Sequence, residues 1–255
     1  MSKKYFVVSD MHSYYTITKK CLEEKGWDDD NKEHILIVCG DAFDRGPETN
    51  KMFYFLLKLQ EQDRLIYIKG NHDELMIDLC DEISYSVGYH IQPYHISNGT
   101  LQSFFHLCGR CEGLHLRDIS LKVRNKFCAL YNNMLDYYEL GKYIFVHGWI
   151  PTKQCDIWEC EYGLIDGYEM IDDWKKGNWA EARWTNGFRA WQCDCCIKDK
   201  IIVCGHWHTS YAHYLFHGGS NDDTSMFIDD GIIGLDATTC VSNMINVLVL
   251  NEEDL

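Results

Sequence analysis

The chain is poor in three things: proline, positive charge and long apolar runs. Only 3 prolines occur among 255 residues, which excludes a proline-rich linker or stalk and leaves most of the sequence for folded structure. The 24 lysines and arginines are outnumbered by 39 aspartates and glutamates, giving a formal charge of −15. A field of that sign repels a phosphate backbone and excludes extended nucleic-acid binding. It does not exclude a small phosphorylated substrate, because bound divalent cations reverse the potential locally. No apolar run approaches the roughly 20 residues of a membrane-spanning helix, so no membrane partner is expected. The first apolar stretch stops at Ser9 and Asp10, too soon for a secretory leader, and a cytoplasmic location is expected.

Cysteine is abundant, with 13 in the chain. Without a leader they read as reduced thiols, and several, such as Cys39 and Cys204, sit within apolar runs as small hydrophobes do. Cys108 and Cys111 form one close pair, but Cys193, Cys195 and Cys196 lie far along the chain. A structural zinc site, which favours two well-spaced pairs, is therefore not expected.

The hydrophobic share of 46% and charged share of 25% suit one α/β domain over residues 1–255, with a mostly helical cap or insertion at about 74–140. Short apolar runs at Tyr5 to Val8, Ile35 to Val38 and Leu65 to Ile68 read as buried strands. Helical spacing follows the first two, at about Tyr14 to Lys25 and Thr49 to Gln60. Within the insertion, Leu101 to Leu107 and Leu121 to Tyr131 read as helices, separated by Gly109 and Gly113. Strands resume at Tyr143 to Val146 and Ile201 to Cys204, and Tyr211 to Phe216, Ile232 to Leu235 and Ile245 to Leu250 resemble hairpin strands. The aromatic-rich stretch around 158–191 is read as irregular, packing in a substrate-side insertion and able to line a pocket for an adenine or a peptide side chain.

Five polar clusters stand where these strands stop. They are Asp10-Met11-His12, Gly40-Asp41-Ala42-Phe43-Asp44-Arg45-Gly46, Gly70-Asn71-His72-Asp73, His147-Gly148 and Gly205-His206-Trp207-His208. In layered α/β sheets, ligands bind outside the carboxyl ends of the strands. Carboxylate and imidazole together suit manganese, iron or zinc, whereas oxygen ligands alone suit magnesium or calcium. Asp10 and Asp41 could instead cap the helices that follow, but histidines at matching strand ends favour ligation. His34, His90, His95 and His217 have no such company and read as ordinary surface or core residues. Asp73 reads as a helix cap or a supporting group.

The clusters, in this order, resemble the calcineurin-like metallophosphoesterase superfamily, and GDAFDRG with GNHD is most similar to its phosphoprotein phosphatase and diadenosine tetraphosphatase branch. The resemblance runs from residue 10 to about 208. It implies a layered α/β/β/α sandwich and a centre of two divalent ions, manganese first, with iron, zinc, nickel or cobalt also suited. By position, Asp10, His12 and Asp41 would hold one ion, and Asp41, Asn71, His147 and His206 the other. His208 departs from the phosphoprotein phosphatase pattern but matches the Gly-His-x-His of other branches, and is assigned to the first ion. His72 would be the general acid, oriented by Asp44, while Arg45, Asn71 and a second arginine, Arg183 in preference to Arg189, would bind phosphate. The implied activity is a serine/threonine-type phosphomonoesterase using a metal-bridging hydroxide. The alternatives are a dinucleoside polyphosphate hydrolase and a non-catalytic metal-binding scaffold. The partner is then a phosphorylated protein or a nucleotide.

Overall fold

The computed structural model describes residues 2–85, 91–160 and 163–255, with side chains described outside 156–166. Three units of strand and helix open the chain: β1 (Lys4–Val8), α1 (Tyr15–Glu24), β2 (His34–Cys39), α2 (Thr49–Glu61), β3 (Leu65–Ile68) and α3 (Asn71–Tyr85). Helices α4 (Pro93–Ser97), α5 (Thr100–Cys108) and α6 (Leu116–Tyr131) follow, then strands β4 (Tyr138–Leu140) and β5 (Tyr143–Phe145) and the hairpin β6 (Thr152–Cys160) and β7 (Gly163–Met170). Short helices α7 (Trp179–Ala182) and α8 (Gly187–Gln192) lead to β8 (Ile201–Cys204) and α9 (Thr209–His217). The chain closes with β9 (Phe227–Asp229), β10 (Ile232–Gly234), α10 (Thr239–Ser242) and β11 (Leu248–Asn251).

Two sheets result. The first has the order β11-β1-β2-β3 and the second β4-β5-β8-β10-β9. Strands β1, β2 and β3 run parallel, as do β5, β8 and β10, and the added edge strands are antiparallel.

Alternation along the strands explains the layers. Successive side chains point to opposite faces of a sheet, and here both faces are apolar, as strands covered on both sides require. Tyr5, Val7, Ile35, Ile37, Phe145 and Val203 meet between the sheets. From the opposite face of the first sheet, Phe6, Val8, Leu36 and Val38 pack beneath the helices. Ile144, Ile202 and Ile232 do the same on the second sheet. The result is the expected α/β/β/α arrangement. Fully buried rings such as Phe6 and Phe145 would each cost about 3–5 kcal/mol on truncation to alanine.

The stretch read as a helical cap or insertion carries α3 to α6. Leu79 on α3, Phe104 on α5 and Phe127 on α6 share one core cluster with Met52 and Leu56 on α2. Among the described residues no helix is long and apolar enough to cross a membrane.

Three local readings need correction. Tyr211 to Phe216, read as a strand, lies within helix α9, which Gly218 ends in the left-handed conformation at φ 63°. A run of consecutive aromatic and aliphatic residues has no clear period, and the glycine stop was the better signal. Ile245 to Leu250 is strand only from Leu248. The region around 158–191 is not wholly irregular, because β6 and β7 pair across it with a register break between Cys155 and Trp158. His90 lies outside the described residues.

Candidate active site

The carboxyl ends of β1, β2, β3, β5 and β8 deliver all five polar clusters to one place. Backbone hydrogen bonds knit the loops together: Asp10 N donates to Gly40 O at 3.2 Å, His12 N to Asp41 O at 3.0 Å, and Gly205 N to His147 O at 2.8 Å. The loops are strained. Asp10, His12, Asp41, Asp44, Arg45 and His206 all have φ between 45° and 72°, a left-handed region costly for residues with a Cβ. Strain held at one place by surrounding structure is a mark of functional loops.

Two glycines mark where the backbone crowds the site. A Cβ on Gly70 would collide with the Asp41 carboxylate, and one on Gly205 would collide with Ser9 Oγ and Asp10 Oδ2.

Two trios of donors converge, with ligand atoms within 4.8 Å of one another: His12, Asp41 and His72, and Asp41, His147 and His206. Asp41 belongs to both. Its Oδ1 accepts from His72 N at 3.0 Å, and its Oδ2 lies 3.4 Å from His147 Nε2. Asn71 brings its Oδ1 to 2.8 Å from His147 Nε2. Asp10 stands beside them, accepting from Ser9 Oγ at 2.5 Å and from His206 N at 2.9 Å, with Oδ1 3.9 Å from His12 Nε2.

The imidazoles are pre-set. His12 Nδ1 lies 2.8 Å from the Phe43 carbonyl and His147 Nδ1 2.8 Å from the Cys39 carbonyl. A carbonyl can only accept, so both Nδ1 atoms donate and, in the neutral rings, both Nε2 atoms keep a lone pair facing the cluster. Burial, with Arg45 nearby, pushes His12 down to about 3; burial, with His147 nearby, does the same to His206. Burial and the neighbouring Asp236 push Asp10 up to about 7. Asp73 rises to about 7 through burial and Asp41. Burial works against charge on His147, yet Asp41 outweighs it and takes the ring up to about 10.

These shifts describe a site short of positive charge. Asp10, Asp41, Asp44, Asp73 and Asp236 are all buried, and an uncompensated buried charge costs several kcal/mol. Imidazoles, carboxylates and an amide oxygen aimed at one point fit divalent cations by the chemistry of the donor set, provided that His147 gives up a proton.

His72, a member of the first trio, also has Nδ1 2.8 Å from Asp44 Oδ2 and Nε2 3.2 Å from an Nη of Arg45. Thr100 Oγ1 donates to the same Asp44 oxygen at 2.7 Å, and Asp44 N donates to Ser103 Oγ at 3.0 Å. Asp73 supports the loop from beneath, accepting from Gly70 N at 2.8 Å and from Tyr67 Oη at 2.8 Å.

Two expected residues stand differently. His208 lies outside both trios and directs Nδ1 to Asp236 Oδ2 at 2.9 Å. Arg183 is buried, with one Nη 2.6 Å from Glu74 Oε1 and the other paired with Asp136. Its alternative, Arg189, bonds Tyr211 Oη at 2.7 Å and Gln192 Oε1 at 2.8 Å. Sequence reasoning missed Asp236, although it follows an apolar strand as Asp10 and Asp41 do, and it missed the Thr100 and Ser103 brace.

A layered sandwich that gathers carboxylates and imidazoles at its strand ends defines a class, and a family model agrees. The chain belongs to the calcineurin-like phosphoesterase family, whose model matches residues 3–226. It is therefore a hydrolase of phosphoesters, in a family that uses divalent metals. Among named relatives, it is 24% identical over 217 residues to the asymmetrical bis(5'-nucleosyl)-tetraphosphatase PrpE of Anoxybacillus flavithermus, covering 79% of this chain and 78% of that one. A symmetrical bis(5'-nucleosyl)-tetraphosphatase of Buchnera aphidicola is 34% identical over a shorter stretch of 68 residues, 27% of this chain and 23% of that protein. Among solved structures, a cold-active protein tyrosine phosphatase superposes with a TM-score of 0.51 at 13% identity over 98% of this chain and 74% of that one. That likeness concerns the fold alone.

Proposed function

We propose that the chain is a dinuclear metal-dependent hydrolase of dinucleoside polyphosphates. The observation that carries the substrate class is aromatic. Trp184, 52% exposed, stands edge-on to His206 with ring centroids 5.9 Å apart, and the partly exposed Trp207 lies 6.5 Å from the same ring. Indoles beside a phosphoryl site offer faces on which an adenine can stack. The bis(5'-nucleosyl)-tetraphosphatase relative that covers most of the chain supports the same reading.

In this reading Asp10, His12, Asp41 and His208 hold one ion, and Asp41, Asn71, His147 and His206 the other. When bound, the two cations polarise the phosphoryl group and lower the pKa of a water nucleophile. Arg45, exposed beside His72, offers a planar fork to phosphate oxygens. Asn71, with its side-chain amide at the centre, adds a donor to them. His72, oriented by Asp44, delivers a proton from Nε2 to the departing phosphate oxygen. Arg183, the second arginine expected to bind phosphate, is buried in its pairs with Glu74 on α3 and with Asp136, and no phosphate contact is assigned to it. The same residues could cleave a phosphoserine or phosphothreonine monoester, a reading favoured by the exposure of Arg45.

The test is to strip the protein of metal, reconstitute it with manganese, and offer diadenosine tetraphosphate and a phosphoserine peptide in parallel. Adenine nucleotides are expected from the first, and Trp184→Ala should raise its KM by about tenfold, a stacking contribution of about 1–3 kcal/mol. Phosphate from the peptide alone would replace this reading with the monoesterase. Turnover of neither, with metal bound, would leave the scaffold.

A further inference from the structure

Helix α5 braces Asp44 at one end and terminates in Cys108 at the other. Gly109, at φ 65°, then turns the chain back, so that Cys108 Sγ lies 2.7 Å from Cys111 Sγ. A disulfide needs the sulfurs about 2.05 Å apart, so closure asks for a shift of under about 1 Å. The two thiols differ in reactivity. Cys111 is half-buried, with Lys122 Nζ 3.9 Å from its sulfur, so a reagent in solution reaches it before the enclosed Cys108. Cys108 is buried, and burial together with the Cys111 contact pushes its thiol up to about 11. Cys39 and Cys80 are enclosed in the core and shifted up by burial, Cys80 to about 12, which makes them inert.

We propose that Cys108 and Cys111 form a reversible dithiol that closes to an intramolecular disulfide by exchange with a low-molecular-weight disulfide, stapling the free end of the helix that braces Asp44. The Cys111 thiolate attacks one sulfur of the reagent and expels a thiolate, leaving a mixed disulfide on Cys111. Cys108 then gives up its proton and attacks Cys111 Sγ, expelling the second thiolate. Two protein thiols are oxidised to one disulfide, the reagent is reduced to two thiols, and the protons released end on those thiols. The staple restricts the unfolded chain and secures α5. Thr100 and Ser103, at the far end of the helix, keep their hold on Asp44, so closure changes stability and leaves turnover alone.

The experiment incubates the full chain with oxidised glutathione, alkylates the remaining thiols and maps the digest by mass. The segment holding Cys108 and Cys111 should lose two hydrogens before Cys39 or Cys80 reacts, and a reductant should restore it. Oxidised protein should melt about 2–4 °C higher with kcat unchanged. Cys111→Ser should show neither change, while Cys108→Ser should accumulate a glutathione adduct on Cys111. A persistent adduct on wild-type Cys111, alkylation of both thiols after oxidation, or oxidised protein that melts no higher would each overturn the proposal. The wild-type mapping decides the matter even if a variant fails to fold.

Discussion

Asp10 and His147 carry protons that a cation bound as proposed would displace. Asp10 is pushed up to about 7 by burial and Asp236, and His147, despite burial, up to about 10 by Asp41. Both raised groups hold their protons below those values, whereas coordination needs both released. Binding of manganese to the stripped protein should therefore release about two protons from this pair near pH 6 and about one near pH 8.5. Affinity should rise with pH across that window. Calorimetry in buffers of differing ionisation enthalpy reads the release, and a constant value across the window would contradict the assignment. Residues of this kind were legible from sequence because each follows an apolar strand and stands near a glycine or a second histidine. Asp236 follows a strand too but carries no neighbouring motif. The pairs of Arg183 with Glu74 and Asp136 depend on contacts between distant segments, which no local pattern encodes.

At the scale of elements, α5 is the least expected contributor. It was legible as a helix from Leu101 to Leu107, but its role depends on where it packs, which spacing does not reveal. Thr100 shares an Asp44 oxygen with His72, so the helix reaches the donor trio that contains His72 only through Asp44. His72→Asn should lower kcat by about 10²–10⁴-fold, the usual worth of a general acid. Thr100→Val should lower it by about tenfold, the low end of the roughly 1.5–3 kcal/mol of a hydrogen bond to a charged group. Steady-state kinetics with metal content measured alongside checks both, and a Thr100→Val enzyme of unchanged kcat would remove the brace from the account. The parallel strands were legible because burial on both faces leaves continuous apolar runs. Helix α9 was not, because the run Tyr211-Ala212-His213-Tyr214-Leu215-Phe216 has no clear period, and the β6–β7 hairpin was hidden by its register break.

For the whole molecule, the formal charge of −15 sets a long-range field that repels any polyphosphate. The centre must overcome that field locally. Because salt screens repulsion between separated charges, kcat/KM for a dinucleoside polyphosphate should rise as ionic strength increases from low values, with the metal-loaded form held constant. A steep fall would mean that a positive surface, not the centre, captures the substrate. Asp41 is shared by both donor trios, and in the proposed reaction it would hold the two cations that hydrolysis requires. Metal content by mass spectrometry, measured with turnover on wild type and Asp41→Ala, tests it most directly. Two divalent ions per wild-type chain are expected, with loss of at least one ion and of hydrolysis in the variant. Undiminished turnover in Asp41→Ala, or in chelated wild type, would contradict it.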